Sequence, residues 1–210
     1  MIFFQIKKLH ISPVFLSVVA FFFIVDTSFY TLLLLLCAFA HELGHYLTGR
    51  ALGAEVEGVW FRPFGINIVL RESTRISYWD EIRIALSGPL VNLLLAGGVY
   101  LWCLLFGLFD AAGFLIFINL ALAGINLLPV DCLDGGRAVR SLLLCLFSIE
   151  TADRLSLCLS LLTLIPLSVS SAVLVSRSGY NLSLAVITLF LLCRILLGSF
   201  RRISVTSLAR

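Results

Sequence analysis

His41-Glu42-Leu43-Gly44-His45 lies inside an apolar run that begins near Phe29 and ends at Gly53. On a helix, residues four apart share a face, so His41 and His45 can offer ring nitrogens to one zinc ion, with Glu42 beside them to activate a water. In a soluble helix such a pentapeptide often arises by chance, and two histidines more often pack or hydrogen-bond than bind metal. Within a membrane span the balance shifts, because ionisable groups there cost on the order of 2.5 to 3.5 kcal/mol each on insertion scales. A bound zinc offsets such a cost: apparent binding free energies at structural sites run to roughly 10 to 16 kcal/mol.

Composition agrees with a membrane setting. The chain of 210 residues is 60% hydrophobic and 13% charged, with a mean hydropathy of +1.09, the signature of a polytopic membrane protein. A net charge of +3 from scattered basic residues gives no reason to expect nucleic-acid binding. None of the 6 cysteines forms a close pair of the zinc-knuckle or redox kind. Cys37, Cys103, Cys145, Cys158 and Cys193 read as small apolar residues, and Cys132 stands apart because of its neighbours.

Six apolar segments approach the length needed to cross about 30 Å of hydrocarbon as helices: roughly 11–25, 29–53, 83–107, 112–128, 155–175 and 181–199. Lys7 and Lys8 precede the first, which lacks a cleavage site and reads as an uncleaved span. With the N-terminus cytoplasmic, every Lys and Arg except Arg177 falls on the cytoplasmic side, so both termini are expected there. The second span then runs inward. His41 sits about 18 Å along it from Phe29 at 1.5 Å per residue, within the membrane but toward its cytoplasmic side.

Residues 55–72 do not read as a helix. Val56, Val59, Trp60 and Phe61, then Ile66, Ile68, Val69 and Leu70, flank Arg62-Pro63-Phe64-Gly65, which suits a type I turn. A hydrophobic β-hairpin is expected, associated with the membrane interface because so many large apolar residues would otherwise face water. The third span opens with Ser77-Tyr78-Trp79-Asp80, a helix-capping pattern. It carries Gly88-Pro89, which loosen the helix and let another backbone approach, and Asn92, a polar side chain that must find a partner in the bundle.

The fourth span ends in Asn126-Leu127-Leu128-Pro129-Val130-Asp131-Cys132-Leu133-Asp134-Gly135-Gly136-Arg137. In the topology above, its acidic end reaches the side of the membrane occupied by His41 and His45, where a carboxylate would complete two histidines. Asp131 and Asp134 compete for that role. Asp134 is favoured because the glycines after it permit a tight turn and close backbone approach; Cys132 is the soft-ligand alternative. The last two spans carry no polar constellation and read as scaffold, the fifth kinked at Pro166.

Taken together, these pieces resemble the site-2 proteases, zinc intramembrane metalloproteases, and among them the compact bacterial branch of stage IV sporulation FB proteases. The resemblance rests on His41 to His45, Pro63-Phe64-Gly65, Gly88-Pro89 with Asn92, and Asn126 through Pro129 to Asp134-Gly135, in family order. It implies zinc held by His41, His45 and Asp134, Glu42 as general base, Asn126 orienting substrate, and a hairpin that pairs with an unwound substrate strand. The expected architecture is an all-α polytopic membrane protein of about six transmembrane helices with a membrane-associated β-hairpin between the second and third. It forms one metalloprotease domain over 1–210, with its core at 29–145 and scaffold helices at 155–199, and without PDZ or CBS domains.

The expected function is regulated intramembrane proteolysis near the cytoplasmic face of the cell membrane. Its partners are membrane-protein substrates, the lipid bilayer and a regulatory membrane protein, with no nucleic acid. The rival readings are a metal transporter or permease, in which the same ligands line an ion path, and an inactive relative that binds membrane proteins without cutting them. Glu42 argues for hydrolysis over transport, because activating water requires it and an ion path does not.

Overall fold

A computed structural model describes residues 8–25, 29–54, 56–62, 65–70, 76–107, 109–178, 186, 188–193 and 195. The elements in chain order are β1 (Lys8–Ile11), α1 (Pro13–Val25), α2 (Tyr30–Ala51), β2 (Val56–Arg62), β3 (Gly65–Leu70), α3 (Tyr78–Phe106), α4 (Phe109–Asn126), α5 (Asp134–Leu146) and α6 (Ile149–Ser178). They group into two compact units, Met1–Asn126 and Leu127–Arg210.

Among the described residues, three helices are long and apolar enough to cross a membrane: Tyr30–Ala51, Tyr78–Phe106 and Ile149–Arg177. Two shorter apolar helices, Pro13–Val25 and Ala112–Asn126, accompany them. The 13 residues of α1 rise only about 20 Å, less than the hydrocarbon thickness. Of the expected span 181–199, residues 188–193 are helical and much of the remainder lies outside the described residues.

In the first unit, β2 and β3 pair antiparallel, from Val56↔Leu70 to Arg62↔Gly65, with a register shift between Val56 and Gly58. The turn positions Pro63 and Phe64 lie outside the described residues. A third strand, which the sequence reading did not anticipate, joins the sheet: β1 runs parallel to β2, pairing Lys8 with Gly58 through Ile11 with Phe61. Its four residues, KLHI, are at the lower limit of the run over which alternation marks a strand.

Helix α3 starts at the expected capping signal. Ser77 adopts an extended N-cap conformation and its Oγ accepts the Asp80 amide hydrogen, while the hydroxyl donates to the Asp80 carboxylate at 2.7 Å. Asp80 and Glu81 fill the first turn, where negative charge meets the positive end of the helix dipole. Across from α3, Gly44 of α2 lets the two backbones come together: a Cβ there would lie 2.9 Å from the Ser87 carbonyl oxygen and 2.9 Å from Val91 Cγ2.

In the second unit, the segment after Asn126 folds back on the start of α5. Val130 N–H donates to the Leu128 carbonyl and Leu133 N–H to that of Val130. Gly135 and Gly136 were expected to form a tight turn; instead they belong to the first turn of α5. What they provide is room, since a Cβ on Gly135 would collide with the Leu127 carbonyl and one on Gly136 with that of Val130. Val130 also enters an apolar cluster with Leu164, Leu191 and Ile195.

Replacing Ser77 by Ala should lower stability by about 0.5 to 2 kcal/mol, the usual value of an N-cap hydroxyl. Thermal unfolding in detergent, followed by circular dichroism, checks this, and Ser77→Asp should retain most of the wild-type stability.

Candidate metal centre

The centre is built where α2 crosses α3. His41 and His45 stand one turn apart on the buried stripe of α2 that also carries Cys37, Gly44, Tyr46 and Gly49, and both rings are buried, 5% and 8% exposed. The rings meet edge to face, with centroids 4.9 Å apart. Gly88 of α3 faces them directly, and any Cβ at that position would run into both imidazoles.

Each ring has its Nδ1 against an oxygen. His45 Nδ1 lies 2.7 Å from the Ile84 carbonyl, an acceptor without a proton, so this nitrogen must be the donor. Ser87 Oγ reinforces the corner by donating to the same carbonyl at 2.6 Å. Pro89 lies in the same stretch of α3; lacking an N–H, it leaves out one rung of the helix ladder there. His41 Nδ1 lies 2.5 Å from Asn92 Oδ1, again as donor to oxygen.

With both protons on Nδ1, both Nε2 atoms present lone pairs, and these nitrogens are 3.2 Å apart. Two lone pairs facing the same space at that distance repel, and a shared cation would relieve the repulsion. Two nitrogens bound to one tetrahedral zinc at about 2.0 to 2.1 Å are separated by about 3.3 Å. The pair therefore fits a shared metal in both donor chemistry and spacing. Holding the second ring nitrogen of a ligating histidine on an oxygen is the usual way to fix its tautomer.

Glu42 follows His41 on α2 and is half-buried. Asn92 is wholly buried and supports His41; the partner required of it is now identified. Asn126 ends α4, and its Nδ2 donates to the Leu122 carbonyl at 2.9 Å.

Asp134 opens α5, with Arg137 one turn on and 3.7 Å away. Asp131 has a different task within its own unit. Its carboxylate accepts from Ser156 Oγ at 3.1 Å and its amide donates to Ser160 Oγ at 3.0 Å, pinning the loop to α6. Cys132 packs against the apolar cluster around Val130 and Leu164.

Sequence reasoning missed Asn119. It is 2% exposed, and its side chain meets Asn92, Cys37 and the Leu115 carbonyl. The signal was present: a polar amide within an apolar helix, two turns before Asn126, carries the same obligation to find a partner that marked out Asn92.

The model of peptidase family M50 matches residues 29–109 and 106–167; the chain belongs to that family. It is 32% identical over 146 residues to a zinc metalloprotease of Methanocaldococcus jannaschii, covering 65% of this chain and 42% of that one. It is 31% identical over 191 residues to stage IV sporulation protein FB of Bacillus subtilis, covering 80% and 62%. The chain thus spans less than two thirds of the length of either relative.

Among solved structures, the site-2 protease from Methanocaldococcus jannaschii shares the fold, with a TM-score of 0.60, 21% identity and 90% of each chain covered. Family membership and the long apolar helices make this a membrane protein.

The glycine facing the rings gives a direct test. Gly88→Ala should reduce bound zinc well below one ion per chain and destabilise the fold by about 1 to 3 kcal/mol through overpacking. Gly98→Ala, on the same helix with nothing within 4 Å of the added methyl, should leave zinc content unchanged. Atomic emission analysis of the purified variants checks both.

Proposed function

We propose that this chain is a zinc-dependent intramembrane endopeptidase that cleaves membrane-embedded or membrane-proximal segments of protein substrates near the cytoplasmic face of the cell membrane. The observation that carries the proposal is the convergence of His41 and His45 Nε2, each ring held by an Nδ1–H bond to oxygen, with Glu42 adjacent.

Asp134 is the third ligand in this reading. Its support is the order of the sequence motifs and the engagement of its two competitors elsewhere, Asp131 with Ser156 and Cys132 with the apolar cluster. Zinc bound by this donor set would polarise the scissile carbonyl and lower the pKa of an attacking water. Glu42 takes that water's proton and delivers it to the departing amine. Asn126, with one amide hydrogen on Leu122, keeps its carbonyl oxygen and second N–H to orient the substrate backbone.

A substrate helix must unwind before it is cut, because its carbonyls are engaged in its own hydrogen bonds. Strand β3, at an edge of the sheet, offers extended backbone with which the released strand can pair, at the membrane interface. The positive-charge distribution supports a multi-pass chain with both termini cytoplasmic, which gives the site access to water from that side.

Glu42→Gln should bind zinc as the wild type does while losing about 10²- to 10⁴-fold in cleavage rate, the usual worth of a positioned general base. Purified proteins in detergent, incubated with a panel of single-span membrane substrates, provide the measurement. Cleavage by the variant at the wild-type rate would overturn the mechanism.

A further inference from the structure

Asn119 lies on α4, outside the histidine helix, yet its amide is tied to Nδ1 of His41, the ring nitrogen turned away from the metal, by a chain of bonds with a fixed polarity. The Leu115 carbonyl, 2.8 Å from Asn119 Nδ2, can only accept, so the Nδ2 end of the amide must face it. Cys37 Sγ, 3.2 Å from the same Nδ2, is met by the same end. Asn119 Oδ1 is thereby turned toward α3. There it lies 2.8 Å from Asn92 Nδ2, which must donate.

Asn92 Oδ1 in turn faces His41 Nδ1, which must carry the proton, leaving the lone pair on Nε2. One other contact holds Asn92 in this sense, the Cys37 carbonyl at 3.4 Å from Nδ2. It is the longer of the two, so Asn119 is the stronger determinant.

Resting on the zinc-site reading above, we propose that Asn119 is a positioning residue for the metal centre: acting through Asn92, it sets the tautomer of His41 so that Nε2 is a ligand. His45 has no need of such a relay, because the Ile84 carbonyl fixes its Nδ1 proton directly. The device places a three-helix dependence on one ligand, with α4 reading out to α2 through α3. Asn92 and Asn119 are 0% and 2% exposed, so water does not compete for these bonds, and a misplaced amide would leave a buried donor facing a donor.

The test uses the full chain, labelled with ¹⁵N-histidine and freed of metal, in detergent at about pH 9, well above the ordinary imidazole range. His10→Gln and His45→Gln variants assign the signals. The wild type should show His41 protonated on Nδ1 and unprotonated on Nε2. In Asn119→Leu, and in the milder Asn119→Ser, His41 should become a mixture of tautomers while His45 keeps its own, and zinc affinity should fall about 10- to 100-fold. In an Asn92→Ala background the Asn119 substitutions should change zinc affinity no further.

An Nε2-protonated His41 in the wild type would overturn the proposal, as would Asn119 variants that leave the His41 tautomer unchanged or disturb both histidines alike. The tautomer readout needs neither cleavage nor zinc. Failure of zinc binding in the wild type would therefore count against the protease reading separately.

Discussion

The protein is organised around one electrostatic constraint: two imidazoles whose Nδ1 protons are both committed to oxygens, so that the two Nε2 atoms converge in a buried space. In water such a pair would turn away and hydrate. Here the rings have nowhere to turn, since Gly88 of α3 lies against both and Asn92 and Ile84 hold the far nitrogens. A cation relieves the repulsion, and the spacing of the nitrogens is that of two ligands on one ion.

Much of the surrounding packing serves to let helices approach. Gly44 and Gly88 remove side chains where α2 and α3 meet, as small residues do at helix contacts in membranes. The second unit uses the same means, with Gly135 and Gly136 admitting the carbonyls of Leu127 and Val130 against the start of α5. There the backbone is the close neighbour, so Asp134 is presented from a first helical turn braced by the chain that precedes it. The bonds from Ser156 and Ser160 to Asp131 tie that same loop to α6, giving polar residues of a largely apolar helix a structural task.

Part of this was legible in the sequence, and the reasons differ by element. His41 and His45 announce themselves because the four-residue spacing is a helical period and because charge-capable residues stand out in an apolar run. Ser77 with Asp80 reads as a cap for equally local reasons, and the apolar stretches flanking Arg62 to Gly65 read as paired strands. Strand β1 left no comparable trace, since its pairing with β2 is a long-range event decided by tertiary packing. Gly135 and Gly136 were legible as positions of close approach but not as helical ones: glycine permits both a turn and a tight contact, and sequence does not distinguish them. Asn92 announced an obligation without its partner. His41 and Asn119, which satisfy that obligation, are separated from it by 51 and 27 residues.

The central proposal is that His41, His45 and Asp134 hold one zinc ion. Zinc K-edge X-ray absorption of the purified protein tests it most directly. The account predicts one zinc per chain in a shell of nitrogen and oxygen donors at about 2.0 to 2.1 Å, with imidazole scattering beyond it, and loss of the ion in Asp134→Ala. A sulfur shell at about 2.3 Å would instead reveal a cysteine ligand, the role for which Cys132 is the sequence alternative. That result, or zinc retained in full without Asp134, would contradict the account.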